Sequence, residues 1–256
     1  MHLLITCLIA IAGLVVVESS LEPRIVGGAN TTIDKFPFYA SVRKTTNKYI
    51  GGAVIIGRFW VVTAAQCVEG RAKQDLMVVT GTDSLNEGGQ RYAIESVHFH
   101  PNFDRFTKSN DIALLKLIAE VKFTKTVASV ALATKAPSIG KKLQVCGHGA
   151  TATPYLDRSV KLKFIETRSI STSQCAEKLH VTVDGSRLCA VSESSSGACV
   201  GDFGSPLISR GGIAGPTKLH GILSWDSSCG KDGRPGVYTS IVAVRSWILS
   251  VTRLVN

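Results

Sequence analysis

Three short stretches of this 256-residue sequence hold the side chains from which a hydrolytic site could be built. Gly201-Asp202-Phe203-Gly204-Ser205-Pro206 places a carboxylate and a hydroxyl in a glycine-rich turn. Asp111-Ile112-Ala113-Leu114-Leu115 sets a carboxylate at the head of an apolar run, and Thr63-Ala64-Ala65-Gln66-Cys67 offers an amide and a thiol. Acyl transfer by a hydroxyl–base mechanism needs a hydroxyl nucleophile and a base that can take and return its proton. Gln66 is an amide, does not titrate in the useful range, and cannot act as that base. Phe203 brings only a phenyl ring. Ser205 is a hydroxyl two residues further on, but a serine in such a turn reads most simply as a local hydrogen-bonding residue.

Leu3 to Val17 is apolar apart from small residues, and Glu18 ends the run. It is short for a membrane span and suits the core of a signal peptide. The expected organisation is therefore a signal peptide over 1–19, a short propeptide over 20–24 and one folded unit over 25–256, in a secreted, extracellular protein. No later segment is long and apolar enough to cross a bilayer, so no membrane partner is expected. Secretion makes Cys67, Cys146, Cys175, Cys189, Cys199 and Cys229 disulfide candidates before they are metal ligands. No C-x-x-C or His/Cys pair has zinc spacing, and neither a metal nor any other cofactor is expected. Asn30-Thr31-Thr32 is a glycosylation sequon.

The formal charge is +10, and it becomes +11 once Arg24, Glu18 and Glu22 leave with the first 24 residues. That balance favours acidic partners and surfaces. The basic residues are scattered, with a local patch expected at Arg43, Lys44 and Lys48. No basic-aromatic motif suggests nucleic acid.

The elements that must position these groups are short strands. Phe38 to Val42, Trp60 to Val62, Met77 to Thr80, Ile112 to Leu117, Leu143 to Cys146, Val160 to Ile165 and Gly221 to Trp225 read as β, with Gly51-Gly52, Gly88-Gly89 and Gly211-Gly212 as turns. Val160-Lys161-Leu162-Lys163-Phe164 alternates as a half-exposed strand would. Only the C-terminus reads as helix, over about 242–254, where Val244, Trp247, Ile248, Val251 and Leu254 form one apolar stripe. The fold class is all-β, of barrels or sandwiches.

The motifs carry the reading further. Arg24-Ile25-Val26-Gly27-Gly28, Thr63 to Cys67, Asp111 to Leu115, Gly201 to Pro206, Ser224-Trp225 and Gly236-Val237-Tyr238 resemble, in order and spacing, the motifs of trypsin/chymotrypsin-like serine proteases. The resemblance covers residues 25–256. It implies two six-stranded antiparallel β-barrels with a C-terminal helix and a site between the barrels. It implies an activation junction at Arg24, with the Ile25 amine pairing with Asp202, and an oxyanion-type amide at Gly201. The triad positions fall on Gln66, Asp111 and Phe203, where the family has His at the first and Ser at the last. Gly197 stands at the pocket base, where trypsin has Asp, and Asp226 stands on the cleft rim beside Ser224 and Trp225. Thr82 replaces a usual calcium ligand, and Glu87 alone would not hold the ion.

The same resemblance implies disulfides Cys175–Cys189 and Cys199–Cys229. It leaves Cys67 and Cys146 unpaired, because Ile50 stands where the family's partner of Cys67 would be. They could pair with each other, join another chain or stay as buried thiols, and buried thiols are favoured. The substitutions at 66 and 203 are similar to those of the inactivated protease paralogues of parasitic mites. The expectation is thus a chain that is not an enzyme. It would be a secreted, monomeric, catalytically inactive homologue that binds other proteins and interferes with a host protease cascade such as complement. The alternative is residual or atypical serine endopeptidase activity.

Overall fold

Apolar and β-branched residues form fourteen strands among the described residues, and turns fold them into closed sheets. A computed structural model describes residues 28–149, 159–192, 202–211, 215–226 and 233–254. The strands are β1 (Ala29–Asn30), β2 (Tyr39–Lys44), β3 (Tyr49–Ile55), β4 (Trp60–Thr63), β5 (Leu76–Thr80), β6 (Gln90–Phe99) and β7 (Ala113–Leu117). They continue with β8 (Ala131–Leu132), β9 (Lys142–Gly147), β10 (Lys163–Ile170), β11 (Arg187–Val191), β12 (Pro206–Ser209), β13 (Lys218–Trp225) and β14 (Gly236–Ser240).

The first barrel closes in the order β2-β3-β4-β7-β6-β5. The second runs β10-β11-β14-β13-β12-β9 and closes through the β10–β9 pairing. All pairings within the two barrels are antiparallel, while β1 adds to β10 and β8 adds parallel to β13. Closure leaves the barrels no free sheet edges. The expected pair of six-stranded antiparallel barrels is therefore present. Their cores are aliphatic. Val54, Val62, Val78, Leu114 and Leu117 fill the first barrel, and Leu143, Val145, Leu207, Leu223 and Tyr238 fill the second. Burying each such side chain contributes about 1.5–3 kcal/mol before conformational entropy is subtracted.

The C-terminal helix, α2 (Ile241–Thr252), buries Ile241, Val244 and Ile248 and ends at Arg253 in a left-handed conformation. Trp247, on the flank of that stripe, is half-buried and meets His100 edge-on at 4.9 Å. Another helix, α1 (Thr172–Leu179), was not expected. Its eight residues are too few for a clear stripe, but Ser171 and Gln174 form a reciprocal capping box and Cys175 anchors it to β11 through the Cys175–Cys189 disulfide.

Two expectations about basic residues are corrected. Lys163 is buried rather than on a wet face, because β10 alternates in the opposite phase: Lys163, Ile165, Thr167 and Ser169 point inward, while Val160 is exposed and Phe164 only half-buried. Arg43 is 1% exposed and so does not belong to a surface patch. Its guanidinium donates to Ser41 Oγ, Asn47 Oδ1 and the carbonyls of Ser84 and Leu85.

Candidate functional site

Asp111 lies fully buried at the start of β7, where the apolar run Ile112–Leu115 carries it into the space between the barrels. Four donors converge on this residue. Gln66 N and Gln66 Nε2 donate to its two carboxylate oxygens at 3.0 and 2.5 Å. Ser224 Oγ, on β13 of the second barrel, donates to Oδ2 at 2.7 Å. Thr239 Oγ1, on β14, donates to its backbone carbonyl at 2.9 Å. Burial pushes the Asp111 pKa above the ordinary carboxylate value, and the bonds from Ser224 and Gln66 offset part of that rise.

Gln66 sits in the 3-10 turn Ala65–Cys67 that follows β4. Its Nε2 donates a second bond, to the carbonyl of Ser224 at 2.6 Å. A primary amide has two N–H groups, and both are used. One side chain thereby ties a turn of the first barrel to a strand of the second.

Phe203 lies in the turn that precedes β12. The turn is pinned from both barrels: Gly52 N on β3 donates to the Phe203 carbonyl at 2.8 Å, and Gly204 N donates to the Leu223 carbonyl on β13 at 2.8 Å. Gly204 has φ +87° and lies against the Gly52 carbonyl, so a side chain there would be both strained and blocked. The phenyl ring of Phe203 is half-buried and packs on the apolar clusters of both barrels. The Cys67 thiol donates to the Phe203 carbonyl at 3.4 Å. Burial and the nearby Asp111 push that thiol up to about 12, so it is not a thiolate nucleophile at neutral pH. Ser205 is fully buried, and its Oγ has no hydrogen-bond partner among the described residues.

The other expected positions divide. Asp202 is buried, and its Oδ1 accepts from Gly149 N at 2.7 Å. Its carboxylate lies so close to Gly147 and Gly149 that neither could carry a side chain. Asp226 is buried at 8% exposure rather than standing on the rim, beside Gly236 and Tyr238. Burial, then Asp226 and Asp202, raise the Tyr238 pKa well above its usual value. Trp225 is half-buried and lines a hollow of about 500 Å³ with Ser224, Lys108, Arg187, Val181 and the 88%-exposed Phe106. Cys67 and Cys146 are buried free thiols. Asn30 is exposed on β1. Arg24, Ile25, Gly197, Gly201 and the Cys199–Cys229 pair lie outside the described residues.

The two-barrel frame and the buried Asp111 between the barrels set the terms for comparison with known proteins. The family described as Trypsin matches residues 25–248. The chain belongs to the trypsin family. Trypsin delta of Drosophila melanogaster is 31% identical over 233 residues, covering 90% of this chain and 89% of its own. Trypsin alpha-4 of Lucilia cuprina is also 31% identical, with 90% and 88% covered. Among solved structures, mouse neuropsin, described as a serine protease expressed in the limbic system of the brain, superposes with a TM-score of 0.79 at 30% identity. That match covers 88% of this chain and 98% of neuropsin.

These relatives correct one expectation. The chain was expected not to be an enzyme, and its similarity to named trypsins along nine-tenths of its length places it in a family of proteases instead. The chemistry of two side chains is a narrower matter: position 66 carries an amide and position 203 a phenyl ring. The sequence pointed to Asp111 and Gln66 but not to their bonds with Ser224. Spacing could not have shown those bonds, because the three residues come from distant segments.

Proposed function

We propose that this trypsin-family protein is secreted, is released by cleavage after Arg24, and acts by binding other proteins, with components of a host protease cascade such as complement as the partner class. The observation that carries this reading is the fully used amide of Gln66, whose two bonds to Asp111 and Ser224 make position 66 a fixed bridge between the barrels. Beside that bridge, the hollow rimmed by Trp225 and the exposed Phe106 offers an apolar surface for a partner's chain. The apolar leader over residues 3–17 and the Cys175–Cys189 disulfide support secretion.

A second reading, atypical serine endopeptidase activity, is favoured by the named trypsins among the relatives. In that reading residue 203 is not the nucleophile, because its side chain has no hydroxyl. The experiment that separates the two uses the mature chain beginning at Ile25. Binding to purified complement components is measured by surface plasmon resonance at physiological and high salt, for the native chain and Phe106→Ala. In parallel, a peptide panel and a fluorophosphonate probe are compared with a heat-treated control. Saturable binding that survives high salt and weakens in Phe106→Ala supports the first reading. Turnover above the control without such binding overturns it in favour of the second.

A further inference from the structure

A second concave site lies on the far barrel, away from Gln66 and Asp111. It is a pocket of about 270 Å³ lined by Lys135, Ser138, Lys141, Ser209, Lys218 and His220, together with Thr134 and Pro137. The lining contains three ammonium groups and no carboxylate. None of the three lysines forms an ion pair among the described residues. Ser209 on β12 and His220 on β13 are the buried part of the wall, at 8% and 7% exposure. Their strands pair directly, and Ser209 Oγ lies 2.9 Å from His220 Nε2. His220 Nδ1 is buried with no hydrogen-bond partner among the described residues.

These observations fit together. A buried imidazole nitrogen without a partner is costly, and native structures seldom keep one without a reason. When the Ser209 hydroxyl donates to Nε2, the ring proton sits on Nδ1. Burial, then the ammoniums of Lys218 and Lys141, push the His220 pKa down to about 4. The ring is therefore neutral at physiological pH, and it already feels the positive potential of the pocket. A tetrahedral oxyanion seated among the lysines would accept from them and relieve the repulsion among them, beside the imidazole ring. The cavity is several times a water molecule's share of roughly 30 Å³, so a sulfate or phosphate group and its attachment fit.

We propose that this pocket binds the oxyanion of a sulfate or phosphate group, held by Lys135, Lys141 and Lys218 around the Ser209–His220 pair. The proposal is independent of what the cleft at Gln66 binds. Two sources present this chemistry: the free inorganic ion, and a sulfated oligosaccharide.

The test uses the mature chain at constant ionic strength set with sodium chloride. Sodium sulfate, sodium phosphate and a heparin-derived hexasaccharide are titrated in separate arms, with the His220 ring nitrogens followed by long-range ¹H–¹⁵N correlation. The expected result is a saturable His220 shift in at least one arm, and the tighter arm names the source. Removing two lysines together, Lys141→Ala with Lys218→Ala, should weaken binding by about tenfold or more, as loss of charge-assisted hydrogen bonds would. Removing Lys44 and Lys48 should leave it unchanged. The lysines are exposed and their removal leaves the core intact, so the variants report on binding rather than folding. No saturable shift in any arm overturns the proposal, as does equal weakening by the Lys44/Lys48 variant, which would mark a general charge effect.

Discussion

Replacing Gln66 with alanine tests whether the amide bridge between the barrels holds the structure together. The change removes two hydrogen bonds, from Nε2 to the Asp111 carboxylate and to the Ser224 carbonyl, and spares the bond from Gln66 N. A bond to a charged group contributes about 1.5–3 kcal/mol and a neutral one about 0.5–1.5 kcal/mol. Position 66 is half-buried, so water replaces part of what is lost. The expected destabilisation is about 2–3 kcal/mol, or roughly 4–12 °C in Tm for a chain of this size. Equilibrium urea unfolding of the mature protein at pH 7 measures it.

The pH dependence adds a sign. The Asp111 pKa is raised in the folded state, so the folded protein holds that proton longer than the unfolded chain does. Its contribution to stability is then lost as pH rises from the ordinary carboxylate value through the raised one. The Gln66 amide favours the ionised form, so its removal should cost more at pH 8 than at pH 5. A loss below about 0.5 kcal/mol, the range of an ordinary surface substitution, would refute the reasoning, and so would a loss that is the same at both pH values.

Three further outcomes are expected. Gly52→Ala would put a Cβ 2.8 Å from the backbone N and Cα of Ser205, and should lower the urea midpoint by the equivalent of about 1–3 kcal/mol with no change in m-value. Replacing both Cys175 and Cys189, which are 14 residues apart, with serine should cost about 3 kcal/mol in chemical unfolding. Burial depresses the His148 pKa to about 3. The unfolded chain therefore binds a proton that the folded one refuses, and stability falls as pH drops from about 6.5 towards 3. His148→Phe should remove that slope, about one proton per molecule, from the pH profile of the urea midpoint.

The parts of the fold that the sequence made legible are those where a local pattern faces a local consequence. The stripe of Val244, Trp247 and Ile248 gave α2 to within a few residues, because 3.6-residue spacing alone decides which side of a helix meets the body. Six of the β-type runs fall on strands, but Val160 to Ile165 reaches only the start of β10, and Gly51-Gly52, expected as a turn, lies inside β3, where Gly52 packs against Ser205. Lys163 was misplaced because apolar type does not fix the phase of an alternating strand: β10 alternates, but its buried face carries Lys163, Ile165, Thr167 and Ser169. Arg43 misled for a related reason: four acceptors, two of them carbonyls of the segment before β6, draw a charged side chain into the interior. The helix α1 had a readable signal in Ser171 and Gln174, but a capping box without an apolar stripe behind it is easily passed over.

The site shows the same division between what a residue type implies and what its surroundings do with it. Sequence alone tells that Gln66 is no base, and it presents the position as a loss. The structure adds what the amide does in that place. Asp111 is a buried carboxylate, and a buried carboxylate needs donors. A neutral imidazole has one N–H and could serve either Asp111 or the Ser224 carbonyl, but not both. The amide has two on one nitrogen, and the geometry uses both, at 2.5 and 2.6 Å. Gln66 therefore satisfies Asp111 and the strand of the other barrel together, and so acts as a joint between the barrels.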